Sequence, residues 1–220
     1  MPTTHNKLLL FAATRLGQPT LRFGCPKARR YKYNQIWVLM FSDFKYLINV
    51  ERLKNWNLRA NVEYEKEPVV SFISSWISLN HLYATHANVL KDEFIQWAKQ
   101  ESEQTGKGPR RGDKAELEFF ATSTQTCELL SSLKSEKKSY EVTLPIRGVL
   151  YGNSVPDETE RTINILDLES VELFLVVYQV RNNLFHGSKD PLKSKRDETL
   201  CKTLAQFLLD FHNLVEKKYL

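Results

Sequence analysis

From Pro68 onward the apolar positions fall at helical spacing. Phe72, Trp76, Leu79 and Tyr83 recur at four, three and four residues, and Ile73, Ile77 and Leu82 widen the stripe. Residues three and four apart share one face of an α-helix, so the pattern predicts a helix. Pro68 suits its first turn, where the missing N–H would lack a partner anyway. Asn80 is set inside this apolar zone. A second helix is predicted over 87–101, with Leu90, Phe94 and Trp97 on one face, and a third over Lys114–Lys134, with Leu117, Phe120, Cys127 and Leu130. Between them TGKGPRRGDK (105–114) reads as a solvated loop, because Gly and Pro punctuate it, with a basic contact to nucleic acid as the alternative its four cations leave open. Its Gly-Lys-Gly lacks the glycine spacing of a phosphate-binding loop.

The later pattern is irregular and then strongly apolar. Residues 139–165 alternate loosely at Tyr140, Val142 and Leu144 and contain Pro145, Gly148, Gly152 and Pro156, which predicts an irregular crossover with a short hairpin. Asp167 is placed to cap a following helix, with Leu166 and Val171 as its hydrophobic staple. The run LFLVVYQV (173–180) is rich in β-branched residues, yet no Gly or Pro interrupts Leu168 to His186. That length exceeds a usual strand, so a helix buried on most sides is predicted. Gly187 suits its C-terminal turn, and Asp190-Pro191 suits the start of a last helix carrying Leu200, Leu204, Phe207, Phe211 and Leu214. The fold class expected is all-α, a helical bundle with an irregular insertion around 139–165.

Before Pro68 the pattern weakens. Residues 16–30 read as loop, and IWVLMF (36–41) is compatible with a strand or a helix start. Charge separates this segment from the rest. Residues 1–49 hold eight Lys/Arg against one acid, Asp43, whereas the remainder holds 23 basic and 25 acidic residues. A basic arm for nucleic acid, a transit peptide and an extension without fixed structure all fit. The division expected is a basic N-terminal segment over 1–60 and a helical domain over 61–220.

Composition narrows the chemistry. With 42% hydrophobic residues in 220, the chain can bury a sizeable core. No run approaches the ~18 apolar residues of a membrane span, so no membrane partner is expected. Cys25, Cys127 and Cys201 are odd in number and widely spaced, which fits a reducing, cytoplasmic setting rather than a disulfide framework or zinc site. His81 and His86 are five apart, a spacing that does not put two ligands on one helix face. Neither a metal nor a cofactor is expected.

The segment VVYQVRNNLFHGSKDP (176–191) closes the apolar helix with Arg181, Asn182, Asn183 and His186. Arginine is a permanent planar cation that grips phosphate through two oxygens. Histidine as a residue type titrates near neutrality and can move a proton between oxygens. The two Asn can orient the ring or donate to a phosphate oxygen. Capping alone also accounts for cations and Asn at a helix end. Five positions on a regular helix leave Arg181 and His186 about 140° apart, so either the helix loosens or a two-fold partner completes the site.

Arg-Asn-x-x-x-His at the end of an apolar helix resembles the Arg-x4–6-His motif of the HEPN superfamily. The string YQVRNNLFHGSKDP, with Trp76 to Tyr83 (WISLNHLY) upstream and Arg196-Asp197 downstream, is similar to a set of prokaryotic HEPN proteins over Pro68–Leu220. The resemblance implies a small helical homodimer with both motifs facing one cleft. It implies a metal-independent endoribonuclease of toxin–antitoxin or anti-phage systems, with RNA as substrate and an antitoxin or defence protein as partner. His186 would then be general base or acid, Arg181 would hold the phosphate and Asn182 would support either, with Asn183, Tyr178 and Lys189 as supporting candidates. A 2′,3′-cyclic phosphate end should follow. Some members bind nucleotides, RNA or partner proteins without cleaving, and that alternative stays open.

Overall fold

The computed structural model describes residues 49–106, 108, 111–144, 146, 161–186 and 194–220. They form an all-α bundle with one small sheet. In chain order the elements are α1 (Val50–Glu63), α2 (Pro68–Val89), α3 (Lys91–Thr105), α4 (Asp113–Ala121), α5 (Thr124–Ser135), β1 (Glu141–Leu144), β2 (Arg161–Asn164), a 3-10 turn (Ile165–Asp167), α6 (Ser170–Phe185) and α7 (Lys195–Tyr219). The apolar run at 36–41 and the basic segment before Asn49 lie outside the described residues.

The axis of the bundle is α2, packed most extensively against α7 and α1. Serines allow the second contact. Ser71 Oγ donates to the Ala60 carbonyl at 2.8 Å and Ser78 Oγ to the Leu53 carbonyl at 3.3 Å, so two small polar side chains satisfy themselves on the backbone of α1. Leu53 and Ala60 are fully buried there, and the domain boundary expected at residue 60 falls inside this helix. Asn49 caps α1 by accepting from the Arg52 N–H at 2.8 Å, and its own N–H donates to His81 Nε2 at 2.9 Å.

Phe120 of α4, Phe174 of α6 and Phe207 and Phe211 of α7 meet at the centre. Phe174 and Phe211 pack edge to face at 5.5 Å, and Phe120 and Phe207 meet Phe174 at 5.9 and 6.1 Å. Such rings bury large areas and gain from tilted contact. Phe174→Ala should therefore lower the unfolding free energy by about 3–5 kcal/mol. Urea denaturation checks this, and a loss below about 1 kcal/mol would remove the cluster from the centre of the fold.

Several predicted boundaries move. The helix expected from Asp167 starts at Ser170, with Glu169 as its N-cap residue, while Asp167 ends the 3-10 turn and is exposed. Asn164 caps that turn, its side chain accepting from the Leu166 N–H at 3.2 Å, and α6 itself starts without a side-chain cap. The cap being at Glu169, Leu166 and Val171 do not form the expected staple. The helix expected over Lys114–Lys134 is broken at Thr122-Ser123, where Ser123 Oγ accepts from the Thr126 N–H at 3.3 Å and starts α5. Serine and threonine compete in this way with a continuing helix. The boundary expected near residue 87 is at Leu90, and Gly106, with φ of 65°, closes α3 where the loop was expected. The last helix begins at Lys195, capped by Ser194, and Gly187 and Asp190-Pro191 lie outside the described residues. β1 and β2 pair antiparallel from Glu141↔Asn164 to Leu144↔Arg161, as a hairpin in 139–165 requires.

Among the described residues no helix is long and apolar enough to cross a membrane.

Candidate active site

α6 presents two stripes. Leu173, Phe174, Val177, Val180 and Asn183 are buried at three- and four-residue spacing and face the core. Tyr178, Arg181 and Phe185, also three and four apart, form a second stripe that meets Trp76 of α2. The Arg181 Cζ lies 4.8 Å from the Phe185 ring centroid, 5.6 Å from Trp76 and 6.0 Å from Tyr178. Trp76 and Tyr178 are themselves edge to face at 5.8 Å. Guanidinium groups favour such ring faces because the aromatic quadrupole attracts the cation.

The polar contacts of Arg181 are few. Nη1 donates to Asn182 Oδ1 at 2.8 Å, and Nε is buried with no hydrogen-bond partner. Among the described residues no carboxylate pairs with it. It does not donate to the carbonyls that end α6, so capping does not describe its position. Nη2 makes no hydrogen bond among the described residues and is the donor left for an anion.

Behind Trp76 the ring of Tyr83 follows at 5.9 Å. Its hydroxyl donates to Asp113 Oδ1, and Asn80 Nδ2 donates to the same oxygen at 3.0 Å and to the Tyr83 hydroxyl. Burial and the bond to Asp113 push the Tyr83 phenol far above its ordinary value, while Arg181 pulls it down. The phenol therefore stays protonated as a donor to Asp113, and Arg181 is near enough for its charge to be felt. Asp113 is the first residue of α4, where the helix dipole favours a carboxylate. Asn80, Tyr83 and Asp113 thus form a polar base under the aromatic layer.

His186 is the C-cap residue of α6. Its backbone N–H donates to the Asn182 carbonyl at 2.9 Å, and its ring is exposed. No hydrogen bond joins it to Arg181 in one chain. The helix does not loosen before it, because the last helical residue is Phe185. Asn182 contacts Arg181, and Tyr178 lies against its guanidinium. Asn183 instead continues the core stripe and accepts from Gln179 Nε2 at 3.0 Å. Lys189 lies outside the described residues.

Reasoning from the sequence put Trp76 and Tyr83 on the apolar stripe of their helix, with Asn80 inside it, but did not assign them or Asp113 to the site. Asn80 inside the apolar stripe was the available signal. Asp113 carried none, because its closeness to Tyr83 is tertiary. Elsewhere, a groove of about 370 Å³ between β1 and the first turn of α7 is lined by residues that include Thr143, Lys195 and Arg196. Among the described residues no group of three His, Cys, Asp or Glu is arranged to hold a metal ion. Comparison of the chain with family models, with curated proteins and with solved structures finds no match to any of them.

Proposed function

We propose that the chain is a metal-independent endoribonuclease of HEPN type, acting as a homodimer in the cytoplasm in a toxin–antitoxin or anti-phage role, with an antitoxin or defence protein as partner. The observation that carries this reading is Arg181, a guanidinium held by three aromatic rings with no carboxylate paired to it among the described residues, five residues before an exposed histidine. The motif residues and the all-helical bundle support it.

In this reading Arg181 takes the scissile phosphate along the edge of its guanidinium, and its bond to Asn182 fixes the plane. His186 removes the proton of the ribose 2′-hydroxyl, and the 2′-oxygen attacks phosphorus. The P–O5′ bond breaks, and a protonated imidazole returns a proton to the leaving oxygen. The products are a 2′,3′-cyclic phosphate and a 5′-hydroxyl. Arg181 stabilises the charge that grows on the phosphoryl oxygens. Because Arg181 turns onto α2 while His186 faces solvent, a second copy across a two-fold axis supplies the facing motif.

Incubating the purified chain with single-stranded and structured RNA in EDTA tests this. Fragments ending in 2′,3′-cyclic phosphate are expected. Intact RNA, or fragments ending in 3′-hydroxyl, would contradict the reading.

A second reading is a HEPN module that binds a nucleotide, an RNA or a partner without cleaving. It is favoured by the separation of His186 from Arg181 within one chain, since the ring-bound guanidinium alone suffices to hold a phosphate. RNA bound by the dimer and recovered intact in the same assay selects it.

A further inference from the structure

Phe185 is 59% exposed, although it ends a helix whose other face is buried. The other large hydrophobics exposed among the described residues, Leu58, Val62, Val70 and Ile95, are aliphatic and belong to α1, α2 and α3. Phe185 is therefore the one exposed ring in that set, and it stands at the candidate site. Its ring packs against the Arg181 guanidinium at 4.8 Å, and exposed His186 follows it directly.

Resting on the ribonuclease reading, we propose that Phe185 is the stacking platform for an unpaired nucleobase beside the scissile phosphate. A phosphate at the edge of Arg181 and a base on the ring of Phe185 are adjacent parts of one nucleotide. The guanidinium fixes the ring, so the platform is ordered before the base arrives. Every base offers a π-face, so the contact tolerates sequence. In an RNA duplex those faces are already covered by stacked neighbours, and only unpaired nucleotides can splay onto a side chain. The contact acts on binding and on alignment of the phosphate, so Phe185 determines specificity and moves no proton.

The test uses the full chain, an uncleavable 2′-O-methyl single strand carrying 2-aminopurine, the same strand paired with its complement, and a cleavable RNA. Wild type should bind the single strand more tightly than the duplex and change the 2-aminopurine fluorescence. Phe185→Ala should weaken single-strand binding by about 5- to 150-fold, with the loss in cleavage falling on KM more than on kcat. Phe185→Tyr should restore both, and light scattering should show the same oligomer for all three proteins. The proposal is overturned if Phe185→Ala binds like wild type, or if wild type binds duplex equally well or no RNA at all. It is also overturned if Phe185→Ala loses the dimer together with binding, since the ring would then face a second copy. Phe185-dependent stacking without cleavage by wild type would sink the nuclease reading and leave the platform standing.

Discussion

Arg181→Lys should lose nearly as much RNA cleavage as Arg181→Ala, about 100-fold or more in kcat/KM. Charge alone is not what the site selects. The guanidinium lies against Phe185, Trp76 and Tyr178 and donates to Asn182, so its plane is fixed by three rings and one amide. An ammonium is a compact point charge that keeps its hydration, stacks poorly and cannot offer two parallel donors to a phosphate. Arg181 is half-buried near a helix end and makes no ion pair among the described residues, so either variant should remain folded. Single-turnover cleavage, with circular dichroism as the control for folding, checks this. A lysine variant retaining a third or more of wild-type activity would mean that the aromatic layer is only core.

The second large effect is on stability in acid. His212 is fully buried, with Nε2 at 3.0 Å from the Ser75 carbonyl, and burial pushes it down to about 4. His86, packed against Phe119 and Phe120, is likewise pushed down to about 4 by burial. Each binds a proton more readily unfolded, where the ordinary value is near 6.5. Their stabilisation is fully present above pH 6.5 and is lost as pH falls from 6.5 towards 4. At pH 5 the loss is roughly 2 kcal/mol for each, or about 4 kcal/mol together. That is a large share of the ~5–15 kcal/mol typical of a domain. His81 acts in the same direction, because its Nε2 accepts the Asn49 N–H and its value is lowered by burial and Arg52. Urea midpoints should fall steeply between pH 8 and pH 5, and His212→Gln should flatten the slope by about half. Equal midpoints at the two pH values would contradict the buried neutral imidazoles.

The parts of the fold legible in the sequence are those whose burial follows one apolar period. α2 announces itself through Phe72, Trp76, Leu79 and Tyr83, and α7 through Leu200, Leu204, Phe207 and Phe211. α1 does not, because its buried positions are Leu53, Asn57 and Ala60, and only one of these is large and apolar. Its place depends on Ser71 and Ser78 of α2 and on Asn57 donating to Glu216 at 3.0 Å, which are tertiary bonds that no local pattern signals. α6 starts later than the type of residue 167 suggests, because Asn164 caps a 3-10 turn that Asp167 ends. At the site, Arg181 and His186 could be singled out by chemistry and position. What could not be read is the set of rings that holds Arg181 and the Asn80–Tyr83–Asp113 cluster behind them, since these join α2, α4 and α6 across the bundle.

The central claim, that Arg181 and His186 together cleave RNA without a metal, is tested most directly by His186→Ala. Its cleavage rate in EDTA should be compared with wild type at equal concentration and equal oligomeric state. His186 is exposed and caps α6 through its backbone, so the variant should keep its fold. A loss of about 100- to 10,000-fold is expected for removal of a general acid–base group. Undiminished cleavage by the folded variant would contradict the assignment.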